Sequence, residues 1–333
     1  MALKQPWQLE DTETEVQAAA GKRKRHREWS GAVAVLTLGL AGLIASKLGL
    51  LWPRFDIFAQ FTIQFAIFVI SGAVGLFSPR LKGVTAGLVA VLLLTGYGLW
   101  PSFNFQTTES SLASAEKRLK VAQFNLGGER SSMQAVVDSL HTINADIVTL
   151  VETGTNGGII LAKLKTDYPF QVNCFESSGC DMAVVSKLPL SNSKVIYAGQ
   201  SVPILKASLG AGYRELVVVA IHTTRFPHIT EQFVQFRAIA QALEVDASPL
   251  LLMGDFNATP QSRVLQGLAD RLGLSIVTYL PSWPATYGLP QLAIDHILIS
   301  SSLRALSPET VGQSAGSDHL PIARVLGVAT GAQ

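Results

Sequence analysis

The sequence predicts an α/β domain of two layered sheets preceded by three transmembrane helices. Three observations carry that reading: long apolar runs in the first third, alternating apolar strands and amphipathic helices from Val121 onward, and a charge balance that changes sign between the two regions. Over 333 residues the chain is 48% hydrophobic and 15% charged with a mean hydropathy of +0.32, which excludes an intrinsically disordered chain. Residues 1–105 carry 10 Lys+Arg against 6 Asp+Glu and the remainder 16 against 18, so the net charge of +2 describes neither region. The remainder is long enough for one globular domain with a full core.

Gly31–Trp52 has 22 residues and one charge, Lys47, placed near its end where the ammonium can snorkel to the interface. Ile57–Phe77 has 21 residues and Gly83–Trp100 has 18, both uncharged. At about 1.5 Å per residue each reaches across a hydrocarbon core of roughly 30 Å, the last one barely. All three are apolar all round, without the polar stripe of a soluble core helix. A cleaved signal peptide fits less well, because two further spans follow. Lys22, Arg23, Lys24, Arg25 and Arg27 precede the first span and place the N-terminus in the cytoplasm, so three crossings export the rest to the periplasm or cell exterior. The expected organisation is a cytoplasmic basic segment (1–30), three spans (31–52, 57–77 and 83–100, within 31–101), a Ser/Thr-rich linker (102–118) and an exported domain (119–328).

In the exported part, Val121–Asn125 reads as a strand, and Met133, Val136, Val137 and Leu140 recur at helical spacing. Ile147–Val151 is the next strand and Ile159–Lys165 a helix. The two cysteines, Cys174 and Cys180, flank a Ser-Ser-Gly turn between strand-like runs, so a hairpin brings them together. A bridge there contributes roughly 2 kcal/mol in an oxidising compartment. Strands follow at Met182–Ser186, Lys194–Tyr197, Ile204–Leu209 and Leu216–Ile221, then a helix through Phe233–Leu243 and a strand at Leu250–Met253. A helix near Arg263–Leu272 and strands at Ala293–Ser300 and Ile322–Leu326 complete the pattern.

Polar residues fall at particular places in it. Four apolar strands end on a residue able to meet a metal or a phosphate: Val-Ala-Gln-Phe-Asn125, Ile-Val-Thr-Leu-Val-Glu152, Val-Val-Val-Ala-Ile-His222 and Leu-Leu-Leu-Met-Gly-Asp255-Phe-Asn257. Two others begin with one, at Asp295 and at Ser317-Asp318-His319. Because the start of a strand lies beside the end of its antiparallel neighbour, all six groups can share one sheet edge. A strand-terminal Asn is often only a turn residue and a Ser-Asp pair a cap. Six such coincidences in one order point to a joint site instead.

At these residues the sequence resembles the endonuclease/exonuclease/phosphatase superfamily over about Leu119–Gly327, through Phe-Asn125, Val-Glu152, His222, Gly-Asp255-Phe-Asn257, Asp295 and Ser-Asp318-His319. With its apolar N-terminal third the chain also looks like the membrane-anchored branch, which includes a glycopeptide-resistance membrane protein. The resemblance implies a four-layer α/β/β/α sandwich of DNase I type, Mg²⁺ dependence with Mn²⁺ as the alternative ion, and hydrolysis of phosphate esters. It implies Glu152 as the primary metal ligand with Asn125 and Asp318 nearby. Asp255 would orient or deprotonate the attacking water, Asn257 and Asn125 would contact the phosphoryl group, and His319 would pair with Asp295. His222 would contact the phosphate or assist the leaving group. Gly127 stands where apurinic-site endonucleases carry a second acidic ligand, which weighs against the repair-nuclease branch. His141, His228 and His296 are read as non-catalytic, and no role is read for Asp181.

The expected activity is that of a membrane-anchored phosphohydrolase acting on a phosphate ester or pyrophosphate, with a lipid-linked substrate as the natural candidate because anchoring raises its effective concentration. An extracytoplasmic endonuclease or exonuclease is the alternative; the slightly acidic balance of the domain disfavours nucleic acid as partner. A non-catalytic membrane scaffold is a third reading, opposed by the completeness of the polar set. The bilayer and a phosphorylated substrate are the expected partners, and the sequence leaves the oligomeric state open.

Overall fold

The computed structural model describes residues 6–49, 51–77, 116–199, 202–210, 212–213, 215–244 and 248–329. The expected third span, Gly83–Trp100, and most of the linker lie outside the described residues. Those described fall into two units: 6–46 with 61–77, and 47–60 with 116–329.

The first unit is helical. Helix α1 (Pro6–Leu48) starts well before the first apolar run, so the basic stretch expected to precede a helix is part of one. Within it Trp29–Leu48, 20 residues of mean hydropathy 1.8, is long and apolar enough to cross a membrane, and its length and position fit an anchor or a signal sequence alike. The expected second span is not one continuous helix. Asp56–Ala59 is a separate single turn (α2), helix α3 runs Thr62–Phe77, and the apolar run is broken between them. Residues 47–60 belong to the second unit, where Asp56 and Gln60 find hydrogen-bond partners in Arg263 and Thr259, distant in sequence.

In the second unit the strands are β1 (Glu116–Asn125), β2 (Ile147–Val151), β3 (Phe170–Asn173), β4 (Ala183–Ser186), β5 (Leu190–Ala198), β6 (Val202–Leu209), β7 (Val217–His222), β8 (Leu250–Asp255), β9 (Leu274–Ile276), β10 (Asp295–Ser300), β11 (Leu303–Ala305), β12 (Thr310–Val311) and β13 (Ile322–Ala329). The helices are α4 (Met133–Ile143), α5 (Gly157–Leu164), α6 (Ile229–Leu243) and α7 (Arg263–Leu272). One sheet has the order β11-β13-β1-β2-β4-β3, with β12 also on β13; the other has the order β5-β6-β7-β8-β10-β9. Strand β1 begins inside the expected linker, because Glu116, Lys117 and Arg118 pair with Ala329, Val328 and Gly327 of β13.

Strand alternation explains the layering. In β7, Val218 and Ala220 enter a core between the sheets, while Val217, Val219 and Ile221 enter a second core against Phe236, Ile239, Val264 and Leu265 of α6 and α7. In β2, Ile147 and Val151 face the inter-sheet core and Val148 and Leu150 face a third core with Val136, Leu140, Ile160 and Leu164 of α4 and α5. The result is helix, sheet, sheet, helix. Strands buried on both faces read as nearly continuous apolar runs, which is why periodicity alone located them without orienting them.

Candidate active site

The same alternation places the polar residues. Leu119 and Val121 of β1 point between the sheets, so Gln123 and Asn125 continue that face. By the same parity His222 follows Val218 and Ala220, Asp255 follows Leu251 and Met253, and Asp295 precedes Ile297 and Ile299. Register then aligns them: His222 is opposite Asp255 in the parallel β7–β8 pair, and Asp295 is opposite Asp255 in the antiparallel β8–β10 pair. The site is therefore the end of the inter-sheet layer, where polar side chains replace apolar ones. Gly254 permits the close approach of β7 and β8, since a Cβ there would collide with the Ile221 carbonyl. Glu152 and Asn257, at φ 50 and 47, lie just past their strands in the left-handed region, where a non-glycine residue is uncommon.

Asp295 is buried and saturated with donors. Gln123 Nε2 donates to its Oδ1 at 2.8 Å, Ser282 Oγ donates to Oδ2 at 2.6 Å, and His319 Nδ1 lies 2.7 Å from Oδ2. Burial alone would lower the His319 pKa, but the charge and hydrogen bond of Asp295, with Asp255 and Asp318 nearby, hold it up at about 10. The ring is then an imidazolium whose Nε2 faces Asp255 Oδ2 at 3.8 Å. Asp255 is itself buried, and burial together with the Asp295 charge raises its pKa against the opposing pull of His319 and His222.

On the other side of Asp255, Asn125 donates through Nδ2 to Asp255 Oδ2 at 2.9 Å and to Glu152 Oε1 at 3.0 Å, while its Oδ1 accepts from the Gly127 amide. Asn125 thus cross-links the two carboxylates. His222 Nε2 sits 3.3 Å from Glu152 Oε1 and 4.0 Å from Asp255 Oδ2. The hydrogen bond from His222 is the main reason that the Glu152 pKa is held down at about 2, against the effect of burial. Burial would depress His222, yet Glu152, Asp255 and Asp181 raise it to about 9.

Asn257 donates its Nδ2 to the Thr223 carbonyl at 2.9 Å, and its backbone N–H donates to Asp255 Oδ1 at 2.8 Å. Asp318 is held by Arg130 at 2.8 Å and by the Trp283 indole N–H at 3.3 Å, beside Gly127. A cleft of about 680 Å³ opens on Glu152, His222, Asp255, Asn257, Asp318 and His319, and Arg130, Arg225 and Trp283 line it as well.

Two groups among the described residues have the donor spacing to hold a metal ion: Glu152, His222 and Asp255, and Asp255, Asp295 and His319. Their chemistry separates them. Asp295 and His319 already satisfy each other, whereas the Glu152 carboxylate, beside Asn125 and His222, is open to the cleft and lies next to Asp255. A hard cation that takes one or two carboxylates and keeps several waters fits the carboxylates of the first group, Glu152 and Asp255, with His222 as their neighbour and not a ligand.

His296 lies on the opposite face of β10, as the alternation predicts; its Nε2 is 2.9 Å from the Ala258 carbonyl. His141 pairs with Asp167 on the surface, and His228 lines the cleft. The Asp181 carbonyl accepts from the Thr153 N–H and hydroxyl and so fixes the residue after Glu152, while its carboxylate helps to raise His222. Cys174 and Cys180 are bridged. Sequence reasoning missed Gln123, although it lies two residues before Asn125 on the same strand face. Ser282, Trp283 and Arg130 come from loops and carry no local signal.

The family model described as "Endonuclease/Exonuclease/phosphatase family" matches residues 122–319. Among solved structures, D. rerio TDP2 in complex with a single-strand DNA product superposes with a TM-score of 0.53 at 14% identity, over 63% of this chain and 99% of that one. A functionally unknown conserved protein from Enterococcus faecalis gives 0.51 at 15%, over 62% and 99%. An endonuclease/exonuclease/phosphatase family protein from Bacteroides thetaiotaomicron gives 0.50 at 13%, over 64% and 96%. At these identities the likeness is one of fold. No curated protein matches the sequence significantly.

Proposed function

This chain belongs to the endonuclease/exonuclease/phosphatase family, whose members are generally hydrolases of phosphoester bonds, and from that premise we propose that it is a membrane-anchored, Mg²⁺-dependent phosphohydrolase working outside the cytoplasm on a phosphate ester or pyrophosphate, with a lipid-linked substrate as first candidate. The observation that carries the reading is Asp255, a buried carboxylate at the floor of an open cleft, flanked by two cationic histidines and tied through Asn125 to Glu152. A cation held at Glu152, with Asp255 beside it, would neutralise the phosphoryl oxygens. Asp255 Oδ2 is placed to take the proton of the attacking water. His319, its Nδ1 held by Asp295, offers its Nε2–H to a phosphoryl oxygen; His222 Nε2 does the same from the Glu152 side. Asn257 donates one Nδ2–H to the Thr223 carbonyl, which fixes the side chain at the cleft wall and leaves its second N–H to contact a phosphoryl oxygen. Asp318, paired with Arg130, is a further candidate for the cation's outer ligands.

The exported placement is supported by the basic run before the apolar window and by the Cys174–Cys180 bridge. A bilayer-bound substrate agrees with the near-neutral, slightly acidic balance of residues 106–333, which lacks the basic excess that a nucleic-acid backbone favours. The test is phosphate release by the detergent-solubilised full chain from a panel of polyprenyl pyrophosphates and phospholipid headgroups, with plasmid nicking as the parallel assay. Asp255→Ala and His319→Ala are each expected to lose about 10²-fold or more of the Mg²⁺-dependent rate. Undiminished activity in those variants would sink the assignment, and nicking without phosphate release would transfer it to a nuclease.

A further inference from the structure

The catalytic loop that follows β8 is held at nearly every residue. Phe256 N–H donates to the Ile294 carbonyl, Asn257 N–H to Asp255, Gln232 Nε2 to the Asn257 carbonyl, and the Ala258 carbonyl meets His296. The next two anchors come from a distant part of the sequence. Thr259 N–H donates to Gln60 Oε1 at 2.7 Å, and the Thr259 hydroxyl contacts the Ala59 carbonyl at 3.4 Å. Arg263 N–H, the first amide of α7, donates to both oxygens of Asp56 at 2.8 and 3.1 Å. Such an amide has no partner inside its helix, and a carboxylate is the acceptor its end favours. Asp56, Ala59, Gln60, Thr259 and Ser262 are all at most 3% exposed, so these bonds are shielded from water. The turn Pro53–Phe55 packs on α6 and the α2 turn on α7.

We infer that the segment Pro53–Gln60, between the two apolar helices α1 and α3, is a brace that positions the Asp255–Thr259 catalytic loop, with Gln60 and Asp56 as its positioning residues. Thr259 is four residues from Asp255, and Gln60 is followed immediately by Phe61 and α3. The membrane-proximal part of the chain then contributes to turnover and is more than a tether. Gln60 acts through its carbonyl oxygen alone; its Nε2 has no hydrogen-bond partner among the described residues. An acceptor-only side chain at position 60 therefore preserves the bond, and an apolar one of the same length removes it.

The brace depends on the hydrolase reading for its kinetic arm only, and the experiment separates the two. Full-length Gln60→Met, Gln60→Glu and wild type are compared in detergent by steady-state kinetics on the active substrate and by hydrogen exchange over residues 255–265. The expected result for Gln60→Met is exchange at Thr259 faster by about tenfold or more, kcat lower by about tenfold, KM within about twofold and an unchanged melting midpoint. Gln60→Glu is expected to restore both exchange protection and kcat. Faster exchange without a kcat change, or a loss confined to KM, overturns the brace, as does unaltered exchange. If Gln60→Met does not fold, Gln60→Asn, which withdraws the acceptor by one methylene, is held to the same outcomes. If the wild type cleaves no phosphoester, the hydrolase reading falls; exchange that stays confined to Thr259 in the variant then overturns the brace, and exchange spreading to Phe256–Ala258 supports it.

Discussion

Asp295 accepts from Gln123, Ser282 and His319, three residues drawn from β1, the loop before β10 and the loop before β13. A carboxylate so satisfied is a holder of its neighbours. Its effect on His319 has a definite sign. A histidine whose folded pKa is raised from 6.5 to about 10 contributes stability that is complete below about pH 6.5 and disappears as pH rises through 10. In EDTA the urea midpoint of the wild type should fall between pH 7 and 10, and Asp295→Asn should flatten that decline while lowering the midpoint at pH 7. A pH-independent difference between the two would refute the pairing. Asp255, Glu152 and His222 were legible in the sequence because each sits at a strand end as an uncommon polar residue, and His319 because it closes Ser317-Asp318-His319 just ahead of the last apolar run. Gln123 was not, because a glutamine inside an apolar strand is visible as functional only when its face is known.

Strand ends are brought together at one edge of the inter-sheet layer by parity and register. His222 and Asp295 oppose Asp255 because β7, β8 and β10 are adjacent and in register, and Gly254 lets β8 lie against the Ile221 carbonyl. Gly254→Ala should therefore displace both the His222 and Asp255 ends of these strands. A drop in thermal midpoint equivalent to about 2 kcal/mol or more is expected, with loss of activity in the folded fraction. An alanine variant as stable as wild type would show that the approach is not constraining. The cysteine hairpin is the opposite case, an element read correctly from spacing and turn chemistry. Replacing both Cys174 and Cys180 by Ser should cost roughly 2 kcal/mol in urea titration, and no change would mean that the bridge closes a loop already ordered. The short strands β9, β11 and β12 are not separable in the sequence, since two or three residues carry too little period to read.

For the molecule as a whole, the proposed topology can be read out directly. Cys174 and Cys180, the only cysteines in the chain, are bridged and buried, so a membrane-impermeant maleimide added to intact cells should label Lys194→Cys, at an exposed position of β5, and leave the wild type unlabelled. Labelling that requires permeabilisation of the inner membrane would place the domain in the cytoplasm and remove the case for an exported enzyme. The apolar helix Trp29–Leu48 followed expectation from length and hydropathy, but the second apolar run did not form one uninterrupted helix. Composition cannot see that Asp56 and Gln60 have partners some two hundred positions away. By itself the sequence determined the kinds of element, the polar groups at the strand ends and the family they signify, because strand and helix periods and strand-end chemistry are local properties. Which face each strand buries, which strands are neighbours, and that residues 53–60 brace the catalytic loop were decided only by the tertiary structure. Those depend on pairings between distant segments, and no local period encodes them.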